Sequence, residues 1–535
     1  MTGERTMRTW VMVIVALAVI GAACSGPTEP TESLAPPTFV DDTVAAGVAH
    51  QYTGDWKYFE GGGVAAFDCS GDDRPELYFA GGEATAALYA NTGEAAGPLQ
   101  FNEMQGTGLE LDSVTGAYPI DIDSDGIIDL VVLRLGENVV FRGTGGCGFE
   151  RANELWNIDG GDAWTAGFSA TWGPEAIMPT LAFGNYLNAE ALTEDVDLCS
   201  ANVLLSPDGA TYGPPVPLGP GWCTLSVLFS DWDRNGTADL RVTNDRQYNT
   251  DGEEVLWQID ANDAPIAYTR DDGWKLLRIW GMGIASHDIT GDSYPEVYLT
   301  NQGDSKLQTL ADGPDQPAYE DIAIRRGATV HKPYVGDQTL PSTGWHAEFD
   351  DVNNDGFIDL YVAKGNVDAM PTFTDADPNN LLIGQPDGTF VEGGEAAGIV
   401  YFDKTRGAAV VDLNSDGLLD LVEVNRVENV RLWRNVGAGT AESPAPMGNW
   451  IEVSLAVGEV NHAGVGSWID VRIGDFTMTR EVTIGGGHAS GELGALHFGI
   501  GPSSSAEVRV TWPDGSTTEW LPAETGERLT VSRAT

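Results

Sequence analysis

Short apolar stretches with period-two alternation recur in pairs along the chain, each pair split by a polar phrase. Gly62-Gly-Val-Ala-Ala-Phe-Asp68 and Trp345-His-Ala-Glu-Phe-Asp350 lead into such phrases. Glu296-Val-Tyr-Leu-Thr300 and Asp359-Leu-Tyr-Val-Ala-Lys-Gly365 follow them. Alternation of this kind predicts strands, so each phrase connects two strands. A further apolar run comes later in each unit: Asn138-Val-Val-Phe141, Asn202-Val-Leu-Leu-Ser-Pro-Asp-Gly209 and Asn380-Leu-Leu-Ile-Gly-Gln-Pro-Asp-Gly-Thr-Phe390. Each reads as a third strand, a turn and the start of a fourth.

The polar phrase is best written in Asp351-Val-Asn-Asn-Asp-Gly-Phe-Ile-Asp-Leu360. Oxygen-bearing side chains stand at positions one, three, five and nine: Asp351, Asn353, Asp355 and Asp359. Gly356 holds position six, where a sharp turn calls for positive φ. Full copies carry Asp121, Asp123, Asp125 and Asp129, and Asp412, Asn414, Asp416 and Asp420. A third copy has Asp231, Asp233, Asn235 and Asp239. Two looser copies carry Asp68, Ser70, Asp72 and Glu76, and Asp288, Thr290, Asp292 and Glu296, with Asp73 and Ser293 in place of the loop glycine. A hard cation takes six to eight oxygen ligands, and a short loop of alternate carboxylates can wrap calcium. EF-hands are excluded, since position twelve is Val132 or Val362 rather than Glu and the flanks are strands. A single copy would read as an Asp-Gly hairpin turn. Repetition of one oxygen pattern points to calcium at about five or six sites.

The phrases begin at residues 68, 121, 231, 288, 351 and 412. The spacing is roughly sixty residues except for one interval near twice that, which hides a unit. Phe183-Gly-Asn-Tyr-Leu-Asn188 fits as its decayed loop, with Asn185 at position one and no metal. Seven units of four strands predict an all-β protein, a seven-bladed β-propeller over residues 38–437. Thr38-Phe-Val-Asp-Asp-Thr-Val-Ala-Ala-Gly47 echoes Thr389-Phe-Val-Glu-Gly-Gly-Glu-Ala-Ala-Gly398. The first segment therefore supplies the strand missing after Arg431-Leu-Trp-Arg-Asn435, closing the ring and removing an open sheet edge. A Gly/Ala/Ser/Pro linker precedes a second, smaller β domain over 446–535. Its predicted strands begin with Asn449-Trp-Ile-Glu-Val-Ser-Leu455, and Pro513-Asp-Gly-Ser516 marks a hairpin.

The charge balance narrows the partners. Against 80 acidic residues stand 28 basic ones, a net charge of −52, which leaves nothing to neutralise nucleic-acid phosphates. At the N-terminus, Arg5 and Arg8 precede the apolar run Trp10 to Ile20 and then Gly21-Ala-Ala-Cys24. The run is too short to span a bilayer and reads as a signal peptide over residues 1–23. Its end resembles a bacterial lipoprotein signal, with Cys24 the lipidated residue and 24–37 a flexible spacer; ordinary cleavage near Ala23 is the alternative. The only membrane contact expected is that anchor. Four cysteines remain for two disulfides in an exported chain. Proximity favours Cys199–Cys223, leaving Cys69–Cys147, out of three possible connectivities.

The repeats resemble the FG-GAP/VCBS repeats of integrin-α-like propellers. The tail resembles the ASPIC/UnbV domain through Asn449-Trp450, Arg480-Glu-Val-Thr-Ile-Gly-Gly-Gly487, Leu496-His-Phe-Gly499 and Val510-Thr-Trp-Pro-Asp-Gly515. Together they are similar to the cartilage acidic protein 1 family in its bacterial exported branch. The resemblance implies calcium binding, a seven-bladed propeller and an extracellular location, and no established reaction.

Catalytic constellations do not stand out. The seven histidines, His50, His287, His331, His346, His462, His488 and His497, lack metal-ligand spacing. There is no Gly-x-Ser-x-Gly elbow, and no Lys-Ser/Thr follows Gly485-Gly-Gly487. Trp280-Gly-Met-Gly-Ile-Ala285 and Trp345-His-Ala347 are candidates for the channel wall, with the blade core as the expected place. The sequence thus predicts a non-enzymatic, calcium-stabilised surface protein acting in adhesion or in binding an extracellular protein or glycan. The alternative is an enzyme acting on polysaccharide in the propeller channel. A third expectation makes the tail a separable recognition module.

Overall fold

The computed structural model describes residues 28–174, 176–188, 198–248, 250–260, 264–368 and 370–533. The expected signal segment and Cys24 lie outside the described residues. Alternating strands build seven antiparallel four-stranded units, which we number as blades in chain order. The innermost strands are Val64–Phe67, Val114–Ile120, Thr165–Thr171, Thr224–Ser230, Gly281–His287, Gly344–Asp350 and Thr405–Val411. Each touches the next around a ring, and the last meets the first. Blade 7 is completed by Phe39–Asp41, which pairs with Arg431–Asn435 in the register Phe39 to Asn435. Arg434 binds Asp42 and Leu432 N–H donates to Thr43 Oγ1 at 2.9 Å, so this closure is held by side chains as well as the ladder.

The seventh polar loop is not where the repeat spacing puts it. Asn185 ends the second strand of blade 3, Thr180–Asn185, and the strand connection equivalent to the other polar phrases spans 172–179. Asn185 Oδ1 accepts from Thr165 Oγ1 at 2.8 Å, as Asn244 does from Thr224 and Asn425 from Thr405, both at 2.7 Å. This asparagine is a strand-pairing landmark shared with other blades, which explains its likeness to a loop start. The segment 28–37, expected to be a slack spacer, lies against blade 6. Leu34 N–H donates to Asp355 Oδ2 at 2.6 Å, and Gln385 Nε2 donates to Ser33 Oγ at 3.1 Å.

The tail is a two-sheet sandwich. One sheet orders Leu496–Gly501, Asn449–Ala456 and Glu527–Ser532; the other orders Phe476–Glu481, Trp468–Ile473, Ser505–Thr511 and Leu521–Glu524. Ile451, Val453, Ile469, Val471, Phe498 and Val508 are buried between them. Both disulfides form, Cys69–Cys147 and Cys199–Cys223. Among the described residues no helix is long and apolar enough to cross a membrane.

The two domains are not independent, because the tail fills the propeller channel. Ile484–Gly485 bridges blades 3 and 4, with Gly485 opposite Ser169 on one side and Leu228 on the other. Gly491–Leu493 runs parallel to Val64–Phe67 of blade 1. Between them Ser490 bridges to Ala117 of blade 2 and Gly487 to Ile284 of blade 5. His488 N–H donates to His346 Nδ1 of blade 6 at 3.1 Å, and Val410 N–H of blade 7 donates to Glu492 Oε1 at 2.9 Å. Every blade therefore touches this insert. Room for it comes from glycine: a Cβ on Gly63 would stand 1.7 Å from Ala489 O, and one on Gly116 2.3 Å from the same atom.

At the edge of the channel Arg480 donates to Asp350 Oδ2 at 3.0 Å. Glu348 and Glu492 share the Val410 N–H beside it. Burial raises Glu348 to about 8, with Asp350 adding to the shift and Arg480 opposing it. Arg480→Ala should cost at least about 2 kcal/mol, since it leaves buried carboxylates uncompensated, and less than the roughly 3–5 of a fully buried pair because water reaches part of Arg480. The reading is the midpoint of urea unfolding at unchanged slope. An unmoved midpoint would mean that the pair does not secure the tail.

Candidate functional site

All six polar phrases fold as the same loop between the first and second strands of a blade. Positions four and six both take left-handed φ. Ser124 and Gly126, Arg234 and Gly236, Asn354 and Gly356, and Ser415 and Gly417 do so in the fuller copies. In the looser copies the pairs are Gly71 with Asp73 and Gly291 with Ser293. Glycine has moved from position six to position four, and the backbone is kept.

The first carboxylate caps the turn from inside. Asp121 accepts from Asp125 N–H at 3.1 Å and Gly126 N–H at 3.0 Å, and Asp351 from Asp355 at 3.1 Å and Gly356 at 2.7 Å. Asp412, Asp288, Asp68 and Asp231 accept from their own loop amides in the same way. The ninth residue staples the blade. Asp129 accepts Ile122 N–H at 2.7 Å and, on its other oxygen, Gly143 N–H of the third strand at 2.8 Å. Asp359 binds Val352 and Gly384 likewise, and Asp420 binds Leu413 and Asn435. Glu296 and Glu76 accept from Ile289 and Cys69. Blade 4 departs: Asp239 Oδ2 takes Trp232 Nε1–H and Tyr268 O–H, each at 2.8 Å.

These loops concentrate negative charge. Oxygens of Asp121, Asp123 and Asp129 lie within 4.8 Å of one another, and among the described residues this is the loop where three carboxylates converge so closely. Asp123 Oδ1, Asp231 Oδ1, Asn414 Oδ1 and Glu76 Oε1 are buried without a hydrogen-bond partner. Burial pushes Asp129 up to about 8, Glu76 and Asp288 to about 7 and Asp231 to about 6, with neighbouring loop carboxylates adding to each shift. Oxygen-only donors, orphaned acceptors and crowded carboxylates fit a hard cation. Arg142 spans Asp123 and Asp125 in this conformation, and Asp72 pairs with Arg74. Cys69 and Cys147 beside Glu76 are spent on their disulfide.

The tail sits on this loop face. Asn461 N–H donates to Ser124 Oγ at 2.9 Å, and His462 Nδ1 lies 3.2 Å from Asp121. Asp231 N–H donates to Glu481 Oε1 at 2.8 Å, and Arg234 stacks 4.4 Å over Trp468. His497 Nε2 donates to Asn354 Oδ1 of the blade 6 loop. Arg528 donates to Asp73 O at 3.2 Å and stands 3.7 Å from Asp412. Five of the six loops are thus the seat of the second domain rather than a free surface.

The opposite face, where first strands begin and second strands end, holds a cavity of about 230 Å³. Trp56, Phe59, Tyr186, Tyr248 and Trp345 are among its walls, with Glu60, Asp245 and Gln302 as polar groups. Trp345 is buried and carries the Arg406 guanidinium 4.2 Å over its ring, so it serves both core and cavity. The tail's tip supports this site from below: His488 Nε2 donates to Glu60 O at 2.5 Å and its ring lies 5.1 Å from that of Trp345. Two of the lining residues, Met282 and Trp345, belong to stretches that the sequence offers for the channel wall; the others are scattered over the chain.

Residues 458–535 match the ASPIC and UnbV family, and residues 351–423 match the FG-GAP-like repeat. Comparison with curated proteins finds no match. Among solved structures, BBS1N in complex with ARL6DN is similar at 11% identity over 76% of this chain and 99% of that one, with a TM-score of 0.42. A lectin of Agrocybe aegerita that recognises non-reducing terminal N-acetylglucosamine is 15% identical over 68% of this chain and 74% of that one, TM-score 0.29. AofleA from Arthrobotrys oligospora is 10% identical over 68% and 95%, TM-score 0.34.

The raised carboxylates fix a sign for metal-free stability. A folded-state pKa above the unfolded value means that the native chain holds protons the unfolded chain has released. Stability then falls as pH rises between the ordinary Asp value of 3.8 and the value of about 8 reached by Asp129. In chelator the melting temperature should drop steadily from about pH 5 to pH 8. A flat or rising profile would show that the loop carboxylates are ionised and solvated without metal.

Proposed function

Taking the chain as an FG-GAP repeat protein that ends in an ASPIC/UnbV domain, we propose that it is an exported calcium-binding surface protein acting in adhesion or in capture of a protein or glycan. Its two disulfides and FG-GAP repeats are features of an extracellular protein. The observation that carries the reading is the division of the propeller into two faces. One gathers six acidic loops, five of them under the tail, and the other is open with an aromatic cavity. Calcium would be held by the side-chain oxygens at positions one, three, five and nine of the loops, with Asp121, Asp123 and Asp129 the tightest set. Bound, it neutralises the clustered carboxylates and stiffens the turns. Because those turns carry the tail, the ion acts on domain seating, and the partner is met on the other face. An enzyme acting on polysaccharide, the other reading, would have to work at that mouth, because residues 484–493 fill the channel. Acylation at Cys24 belongs to the surface reading; the mass of the mature N-terminal peptide distinguishes it from release by cleavage near Ala23.

Ion counting on the protein dialysed to equilibrium against calcium well above Kd should return about five or six calcium ions, with affinities of ~10⁻⁴ to 10⁻³ M. At a concentration ~100-fold above Kd, each site adds about 2.7 kcal/mol to folding stability. Asp123→Asn should remove one ion and shrink the calcium-induced rise in melting temperature. No bound ion and no shift on chelation would leave the phrases as hydrogen-bonded turns.

A further inference from the structure

We propose that the cavity at the open mouth of the propeller binds a single neutral, hydroxyl-rich ring, the terminal sugar of a glycan. This rests on the binding reading above and names the ligand of its free face. The volume of about 230 Å³ lies below the roughly 300–1,000 Å³ that holds drug-sized ligands, so one ring fits and an oligomer does not. Aromatic walls offer apolar faces to the C–H face of such a ring. Trp56 and Tyr248 remain 37% and 42% exposed at the rim, where a ligand entering the cavity would cover them.

The polar atoms call for hydroxyls on the ligand. Glu60 Oε2 and Gln302 Oε1 are buried and have no hydrogen-bond partner, although the residues are only 7% and 8% exposed. A buried acceptor left unpaired is costly, and a hydroxyl donor relieves it. Asp245 is already engaged, by Tyr186 O–H at 2.8 Å and Gln247 N–H at 3.0 Å, and so shapes the wall. Charge excludes the other classes. Arg406 Nε–H donates to Phe59 O at 2.6 Å, and the Arg426 guanidinium lies 4.3 Å over the Phe59 ring, so two cations stand behind Glu60. They oppose an organic cation, while the Asp245 carboxylate in the wall opposes an anion; burial raises Glu60 itself to about 8, so at neutral pH it meets a ligand hydroxyl as an uncharged carboxyl. A neutral ring bearing hydroxyls satisfies the acceptors without meeting either field.

The test uses the full mature chain in calcium, titrated with methyl glycosides of glucose, galactose and mannose and of the N-acetylated amino sugars, and read by tryptophan fluorescence and calorimetry. At least one should bind with Kd on the order of 1 mM. Glu60→Gln should weaken it about tenfold. Tyr248→Ala should also weaken it, with the melting temperature of the variant unchanged, since the ring is at the rim. Binding by none of the panel overturns the proposal, as does binding that survives both substitutions. Preference for an alkylammonium or a sialylated probe overturns the neutral class. Ion counting is read separately, so a failure of calcium binding leaves a positive sugar titration standing, and the reverse.

Discussion

The ninth-position carboxylate is the interaction on which blades 2, 6 and 7 depend. Asp129, Asp359 and Asp420 each receive an amide from the loop before them and one from the third strand beyond. One side chain therefore fixes the loop, the second strand and the third strand together. The same geometry brings like charges into a buried space, where their repulsion is least screened. A blade so built has an intrinsic electrostatic tension at one end. That tension needs a proton, a cation or a guanidinium, and Arg142 across the blade 2 loop is an example of the last.

From this follows the polarity of the whole molecule. The tense ends all lie on one face, and the tail lies on them with Arg480, Arg528 and His462 directed at acidic partners. The insert 484–493 carries the contact through the ring to the far mouth, where His488 meets Glu60 and Trp345. A contiguous chain of packed groups thus links the acidic loops to the cavity floor.

Much of this was legible in the amino-acid order. The oxygen pattern found all six loops because their chemistry is local and repeated. The echo between residues 38–47 and 389–398 found the ring closure, and cysteine spacing found both disulfides. What escaped detection depends on contacts remote in sequence. Asn185 resembles a loop start in sequence because its pairing with Thr165 lies across a strand pair. The tail's docking was hidden because Gly485-Gly-Gly487 looks like a turn until glycines on the blades are seen to leave space for it. The cavity was hidden because Glu60, Asp245, Gln302 and Trp345 sit at the ends of different blades, with no spacing to join them. Even the apparent defect of Asp73 and Ser293 was only a glycine displaced by two residues.

The strand that closes the ring sets an order of assembly. Phe39–Asp41 finds its partner only when Arg431–Asn435 exists, across a separation of 389 residues in the Leu432 to Thr43 bond. During synthesis at about 5–20 residues per second, that is tens of seconds in which six blades stand in an open arc with two exposed edges. Only after closure is there a channel for the glycine-rich insert to occupy. The stretch that seals the centre, residues 484–493, is therefore made only after the closing partner strand, and a growing chain remains vulnerable to edge pairing with its neighbours until Arg431–Asn435 has been made.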